Sequence, residues 1–399
     1  MLEGVNVLLG ITGSIAAYKM AGVASALKKM NCNVDVIMTK NATEFITPMT
    51  FETLTHNRCV VDTFDRNYKF DVEHISLAKK ADVVLVAPAS ANIIGKMACG
   101  IADDMLSTTL MACKGKILVA PAMNTAMYEN PIVQENIQRL KNHGIEIIEP
   151  ATGLLACEDV GKGKLPDEEE LIDHIISASV SEKDLLGKRV LVTAGGTREP
   201  VDPVRVITNH STGKMGYAIA QVARDRGAEV TLVSAPTNLR CPTGVKRVDV
   251  VTAGDMFDRV TEISDDMDII VKAAAVADYT PKSTSDHKIK KSDGEMSIEL
   301  MRTKDILKYL GENKKPGQIL CGFSMETENL IENSQKKLVG KNVDLVVANN
   351  LNVKGAGFAG DTNVVTIVKK DGIVELPCMS KREVAYKIFD VINELKKDN

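Results

Sequence analysis

The 399-residue sequence contains no C-x-x-C pair, no long apolar run and little net charge. Its eight cysteines (Cys32, Cys59, Cys99, Cys113, Cys157, Cys241, Cys321 and Cys378) are scattered, which argues against a zinc site or a disulfide framework. No apolar stretch reaches the roughly 18 to 20 residues that span a bilayer, and residues 1–20 lack the basic and apolar regions of a signal peptide. The expected location is therefore the cytoplasm, with no membrane partner. A net charge of −4 offers no electrostatic case for nucleic acid, so small-molecule chemistry is the default. Neither half follows its first strand with G-x-G-x-x-G, and G-x-x-x-x-G-K-[ST] is missing, which disfavours a standard dinucleotide or P-loop site.

What is present is a repeated α/β pattern. The first half carries "VNVLLGI", "NVDVIMT", "ADVVLVAPAS", "KILVAPAMN" and "IEIIEPA" between helix-length segments. The second half carries "RVLVTAG", "EVTLVSA", "DIIVKAAAVAD", "QILCGFSME", "VDLVVANN" and "NVVTIV". Near-continuous apolar strands of this kind imply mainly parallel sheets covered on both faces. The length suits two domains. We expect two tandem doubly wound α/β domains, 1–186 and 187–399, with the seam in "SASVSEKDLLGKRV". The charged stretch 281–296 has neither helical nor strand period and reads as a loop or hairpin.

In "GITGSIAAYK", Gly10 and Gly13 close the first strand and Ser14 opens a helix, an arrangement that suits a phosphate, although a plain tight turn explains it equally well. Polar residues also come after the next strands: Thr39, then "APASANIIGKMACGIADD", then "APAMNTAMYENP". Such clustering is what an open-sheet ligand crevice requires. With His74 and "LLACEDVGKGKLP", these segments resemble the flavin-dependent cysteine decarboxylases, in particular the phosphopantothenoylcysteine decarboxylases, over residues 4 to about 180. The resemblance implies a flavodoxin-like domain with FMN held by Gly13, Ser14, Thr39, Ser90, Asn92 and Ser107. It also implies a substrate site with His74 as base, Asn124 on the substrate carboxylate, and Cys157 as an acid carried on a closing flap. The family's PxMNxxMW pattern ends here in Tyr128, which keeps an aromatic wall. The implied reaction uses the flavin to make a thioaldehyde, loses CO2 to an enethiolate, then reduces and protonates it.

The second half gathers Arg198, Arg205, Asn209, His210, Ser211 and Lys214 around two glycine-containing turns, a density suited to a phosphorylated carboxylate or to a solvated loop. The segments "TAGGTREPVDPVRVITNHSTGKMGYAIA", "AAAVADY", "KIKK", "GFSMET" and "KKLVGKNVDLVVAN" resemble the Rossmann-like phosphopantothenate–cysteine ligase domain over 188 to about 395. Gly196 stands where proline is expected, and Lys304 where "PDI" begins. The resemblance implies CTP contacts from Asp278, Lys288, Phe323, Lys337 and Lys341, with Mg2+ at Asp278. It places Asn209, Arg205 and Ala275 on the acyl intermediate, with Lys288 on a loop that closes over the triphosphate. The expected protein is a bifunctional coenzyme A biosynthesis enzyme. Its substrates would be 4'-phosphopantothenate, cysteine and CTP, and it would be a homo-oligomer built from trimeric decarboxylase and dimeric ligase contacts, up to a dodecamer. The competing readings are a tandem dinucleotide-dependent oxidoreductase and a non-catalytic flavoprotein-like regulatory subunit.

Overall fold

The computed structural model describes residues 2–64, 72–154, 159–180, 182–290, 296–326, 329–350 and 360–397. The chain divides into two compact units, Met1–Ser181 and Glu182–Asn399, a few residues ahead of the expected seam near 186. Leu185 is fully buried in the core of the second unit, which anchors the start of that unit before its first strand.

The first unit holds strands β1 (Asn6–Ile11), β2 (Asn33–Met38), β3 (Cys59–Val60), β4 (Val83–Ala89), β5 (Lys116–Pro121), β6 (Glu146–Ile147), β7 (Ala151–Leu154) and β8 (Val160–Lys164). Six of them form one parallel sheet in the order β3-β2-β1-β4-β5-β6, and β7 and β8 form a separate antiparallel hairpin. Side chains alternate faces along a strand. Val7, Leu9 and Ile11 therefore enter the core beneath the helix Met20–Lys29, while Leu8 enters the opposite core with Ile93 and Leu106. All seven residues of β4 are buried, as expected for the central strand of a doubly covered sheet. Each fully buried leucine or valine of this kind contributes about 1.5–3 kcal/mol by leaving water. "IEIIEPA" yields only the two-residue β6.

The second unit holds β9 (Arg189–Ala194), β10 (Arg198–Pro200), β11 (Val206–Thr208), β12 (Glu229–Ser234), β13 (Lys246–Asp249), β14 (Ile269–Lys272), β15 (Tyr279–Pro281) and β16 (Leu300–Arg302). It continues with β17 (Ile319–Glu326), β18 (Leu345–Asn350), β19 (Thr362–Asn363), β20 (Val365–Lys369), β21 (Gly372–Glu375) and β22 (Met379–Ser380). The main sheet runs β13-β12-β9-β14-β17-β18-β20-β21. Its first six strands are parallel, and β20 and β21 close the edge as an antiparallel hairpin. Val190, Val192 and Ala194 face one core and Leu191 the other, repeating the plan of the first unit.

In both units the sheet reverses direction of winding beside its first strand, between β1 and β4 and between β9 and β14. Connections diverge there to opposite faces, leaving a crevice at the carboxyl ends of the strands. Among the described residues, no helix is long and apolar enough to cross a membrane.

Candidate functional site

In the first unit the crevice is stitched together by Thr12, a residue that no motif in the sequence singles out. Its hydroxyl, buried at the end of β1, donates to the Pro88 carbonyl at 2.6 Å and accepts from the Ser90 amide at 2.9 Å. This fixes the turn after β1 against the turn after β4. Gly13 comes next, and a Cβ there would lie 2.6 Å from Asn41 Cβ, so only glycine lets the turn pack against the residues after β2. Ser14 caps the short helix Ile15–Lys19, its Oγ accepting from the Ala16 amide at 3.4 Å.

Thr39 stands at the cap position of the next helix, yet its Oγ1 is buried without a hydrogen-bond partner. A buried hydroxyl left unsatisfied costs about 1–3 kcal/mol, so this atom is suited to a ligand's polar group. Ser90 caps the helix Ala91–Cys99 through Oγ and the Ile93 amide at 3.5 Å, and Asn92 is exposed in that helix's first turn. The donors present fit a phosphate-bearing flavin: two hydroxyls at helix starts, an unsatisfied Oγ1 and a glycine cradle.

Ser107 is hydrogen-bonded within its own helix cap. It is buried, and its hydroxyl donates to Asp104 Oδ1 at 2.9 Å while its amide donates to the same oxygen at 2.8 Å, a capping box on Met105–Ala112. Burial opposes ionisation of Asp104, but hydrogen bonds from Lys96 and Ser107 hold its carboxyl below the usual range. Lys96 lies 2.6 Å from both Asp103 and Asp104, so the acidic pair in "GIADD" clamps one helix start to the preceding helix. His74, half-buried in the first turn of Glu73–Lys80, belongs to a helix that packs on Met105–Ala112.

Asn124 caps Thr125–Tyr128 with Oδ1 accepting from the Ala126 amide at 2.9 Å, and its Nδ2 donates to Asp159 at 2.8 Å. Asp159 immediately precedes the second strand of the β7–β8 hairpin. Met123 N–H donates to the Gly163 carbonyl at 3.0 Å, so the hairpin is docked along Met123–Thr125. Gly163 has φ +135, and a Cβ there would sit 2.2 Å from the Met123 oxygen. Cys157 falls at 155–158, between these strands, and lies outside the described residues. Tyr128 is buried and its hydroxyl donates to Glu149 at 3.1 Å, with Lys141 3.0 Å from the same carboxylate. Burial first, then Glu149, pushes the phenol up to about 12. An indole in its place would offer a ring N–H as donor but no acceptor oxygen.

In the second unit a cavity of about 770 Å³ opens at the ends of β14, β17 and β18. Asn209, Ala275, Asp278, Phe323, Lys337 and Lys341 line it together, as do His210, Ser211 and Lys214. Asn209 Nδ2 donates to the Ala275 carbonyl at 3.1 Å, and Ala275 is held between the chain at Gly195 and Thr197 by its own amide and carbonyl. Lys337 Nζ donates to the Phe323 carbonyl at 2.7 Å, and Lys341 pairs with Asp305 at 2.7 Å.

Arg205 and Lys288 do not line this cavity. Arg205 is directed to Asp202 (Nε at 3.0 Å and Nη2 at 2.5 Å) and donates to the Ile289 carbonyl at 3.1 Å. Ile289 N–H donates back to Asp202 at 3.1 Å. The Arg205 guanidinium, with backbone amides, holds the Asp202 carboxyl well below its usual range. This reciprocal clasp ties the β10–β11 connection to the loop bearing Lys288, which is itself exposed.

The cavity also contains cations not assigned from sequence: Lys272, Lys304, Arg302 and Lys381. The signal for Lys272 is a lysine closing the apolar run "DIIVK". Six lysines and one arginine face two aspartates, Asp278 and Asp305, among the described lining residues. Lys381 is buried, and burial followed by Lys214 lowers its pKa against the opposing pull of Asp361. No cluster of three histidine, cysteine or carboxylate groups suited to a metal occurs among the described residues. A divalent ion would need ligand oxygens beside Asp278.

Two family models match the chain: Flavoprotein over residues 1–179, and the DNA/pantothenate metabolism flavoprotein C-terminal domain over 185–395. The coenzyme A biosynthesis bifunctional protein CoaBC of Bacillus subtilis is 49% identical over 403 residues, covering 100% of this chain and 98% of that one. The protein of the same name from Borreliella burgdorferi is 42% identical over 389 residues, covering 97% and 98%. A cysteine/cysteine sulfinic acid decarboxylase of an unknown prokaryotic organism is 44% identical over 350 residues, covering 86% and 98%. With two family models side by side and such identity along nearly the whole of both chains, this chain belongs to the family of bifunctional coenzyme A biosynthesis proteins.

Proposed function

We propose that the chain carries out two successive steps of coenzyme A biosynthesis. The second unit joins 4'-phosphopantothenate to cysteine, and the first decarboxylates the product to 4'-phosphopantetheine. The observation that carries this reading is the cation-lined cavity of about 770 Å³ in the unit matched by the pantothenate-metabolism model.

For the ligation, the substrate carboxylate attacks the α-phosphate of CTP, giving an acyl-cytidylate and pyrophosphate, and the cysteine amine then displaces CMP. Negative charge grows on the departing pyrophosphate, and Lys337 and Lys341 are placed to meet it. The Asn209 side-chain amide would donate to the acyl oxygen, and the Ala275 carbonyl, which accepts from that amide at 3.1 Å, holds it in place. Asp278 would supply one carboxylate to Mg2+, with phosphate oxygens and water completing the shell. Arg205 acts through its clasp on Ile289, which positions the Lys288 loop.

For the decarboxylation, FMN would be held by Gly13, Ser14, Thr39, Ser90 and Asn92, with Ser107 bracing the adjoining helix. When bound, it supplies a reversible two-electron oxidation that converts the substrate thiol to a thioaldehyde, the electron sink decarboxylation needs. His74 takes the thiol proton. The Asn124 amide exchanges Asp159 for the substrate carboxylate and orients it. After CO2 departs, the electron pair taken from the thiol would be returned to the enethiolate together with a proton from Cys157, giving the thiol of 4'-phosphopantetheine.

Two assays test the reading. Purified protein should carry or take up FMN, seen as flavin absorbance, and release CO2 from phosphopantothenoylcysteine. Pyrophosphate should appear with phosphopantothenate and CTP, and faster than with ATP. Protein that binds no FMN ends the decarboxylase assignment, and absence of pyrophosphate ends the ligase assignment. Solution mass measurement tests the homo-oligomer.

A further inference from the structure

Lys272 is the last residue of β14, where the strand's apolar alternation places it on the same side of the sheet as Ile270 and the core beneath Ile306 and Leu338. A lysine in that position is expensive to bury unless an anion accompanies it. Among the described residues no carboxylate forms an ion pair with Lys272; Asp305, which acts on it from farther away, is paired with Lys341 at 2.7 Å. Lys272 lines the cavity together with Lys337 and Lys341. Both are near enough to act on its charge, so three lysines share one region of the cavity.

We propose that Lys272 is a further polyphosphate-binding residue of this cavity, completing with Lys337 and Lys341 a three-lysine receptor for the triphosphate of the nucleotide substrate. The proposal rests on the ligase reading for the identity of that substrate and on geometry for the class of ligand. The charged groups that act on Lys272 come from several elements: Lys337 and Lys341 at the end of the helix Leu330–Gly340, Asp305 at the cap of Ile306–Glu312, and Asp278 after β14. Burial first, and then the two lysines, push its ammonium down to about 8, with Asp305 and Asp278 pulling the other way.

Binding is therefore linked to protonation. In the free protein Lys272 is charged below about pH 8 and neutral above it. A bound polyanion favours the charged form and raises the pKa, so Lys272 takes up a proton on binding in the window just above pH 8 and none near pH 6.5, where the ligand's own terminal phosphate titrates instead.

The test is calorimetric titration of full-length protein with inorganic tripolyphosphate and with CTP, at pH 6.5 and 8.5, in two buffers of different ionisation enthalpy. Wild-type protein should take up a substantial fraction of a proton per site at pH 8.5. Lys272→Met should bind both ligands about ten- to hundredfold more weakly at pH 6.5 and take up no proton at pH 8.5. Lys272→Arg keeps a permanent charge, so it should retain affinity at pH 8.5 while losing the proton uptake, and it carries the test if the methionine variant does not fold. Unchanged affinity in Lys272→Met, or superimposable pH dependence in wild type and Lys272→Arg, overturns the proposal. The ligase reading is judged separately, by pyrophosphate release in the wild type. If that fails while tripolyphosphate binding still depends on Lys272, the receptor stands and the nucleotide assignment falls.

Discussion

Replacing Gly163 by alanine should uncouple the β7–β8 hairpin from the first unit while leaving the sheet beneath intact. The backbone there has φ +135, a region open almost only to glycine, and an added Cβ would stand 2.2 Å from the Met123 carbonyl oxygen. Residues forced into such conformations cost about 1–3 kcal/mol. Moving Gly163 away also gives up the 3.0 Å bond from the Met123 amide, worth about 1 kcal/mol. The sum, about 2–4 kcal/mol, shifts the docked-to-undocked ratio roughly thirty- to several-hundredfold. Little of it should appear in global stability, since β7 and β8 form their own two-stranded sheet. The assay pairs flavin absorbance with CO2 release. Gly163→Ala should retain FMN and a thermal midpoint within a few degrees of wild type, while kcat/KM for decarboxylation falls by at least tenfold. A variant with turnover within twofold of wild type would refute the idea that the docked hairpin is required. Loss of FMN would refute the separation of hairpin from cofactor cradle.

Three other outcomes are expected. Thr39→Val removes a buried hydroxyl that has no partner, so the FMN-free protein should be as stable as wild type or slightly more so, while FMN affinity, monitored by fluorescence quenching, falls about tenfold or more. Arg226→Met breaks a guanidinium network to Asp184 and Asp390, the latter at 2.8 Å, and should cost the second unit about 3 kcal/mol in urea unfolding at pH 7. The Arg226 bond is also the main reason the Asp184 carboxyl is held below its ordinary value, so that contribution is present above about pH 4 and fades as acid protonates the carboxylate; the gap between variant and wild type should narrow there. Asp202→Ala opens the clasp on Ile289 and should speed proteolytic cleavage within 282–290 while leaving CTP-independent stability of the sheet unchanged; equal cleavage rates would remove the clasp's assigned role.

The sheets were legible because their strands are buried on both sides, and such runs as "VNVLLGI" and "ADVVLVAPAS" stand out as β1 and β4 without any need for partners. Direction was not legible. "NVVTIV" reads like its predecessors but becomes β20, antiparallel to β18, because an apolar run records burial and not the path of the connection before it. Strand ends drew attention to Asn209, Ala275, Phe323 and their neighbours, which the topology gathers around one cavity. The Asp202–Arg205–Ile289 clasp was hidden, since its parts are separated by more than eighty residues and a basic side chain near a turn looks the same whether it meets substrate or carboxylate. Lys272 was hidden for the opposite reason: among so many charged loops, a single lysine at the end of an apolar strand attracts little notice, and only the assembled cavity reveals that it lacks an anion.

The two sheets share one winding order and one place of reversal, yet the segments beyond their strands have nothing in common: a docked hairpin at 151–164 in one unit, a clasped loop at 282–290 in the other. Divergence of chemistry on this plan requires no change in the strands themselves. Kinship judged from strand order would rank the halves of this chain as near copies, whereas the connecting segments would rank them as strangers. For anyone redesigning either activity, the practical boundary lies at the carboxyl ends of the strands: beneath it substitutions alter whether the unit folds, and above it they alter which molecule is transformed.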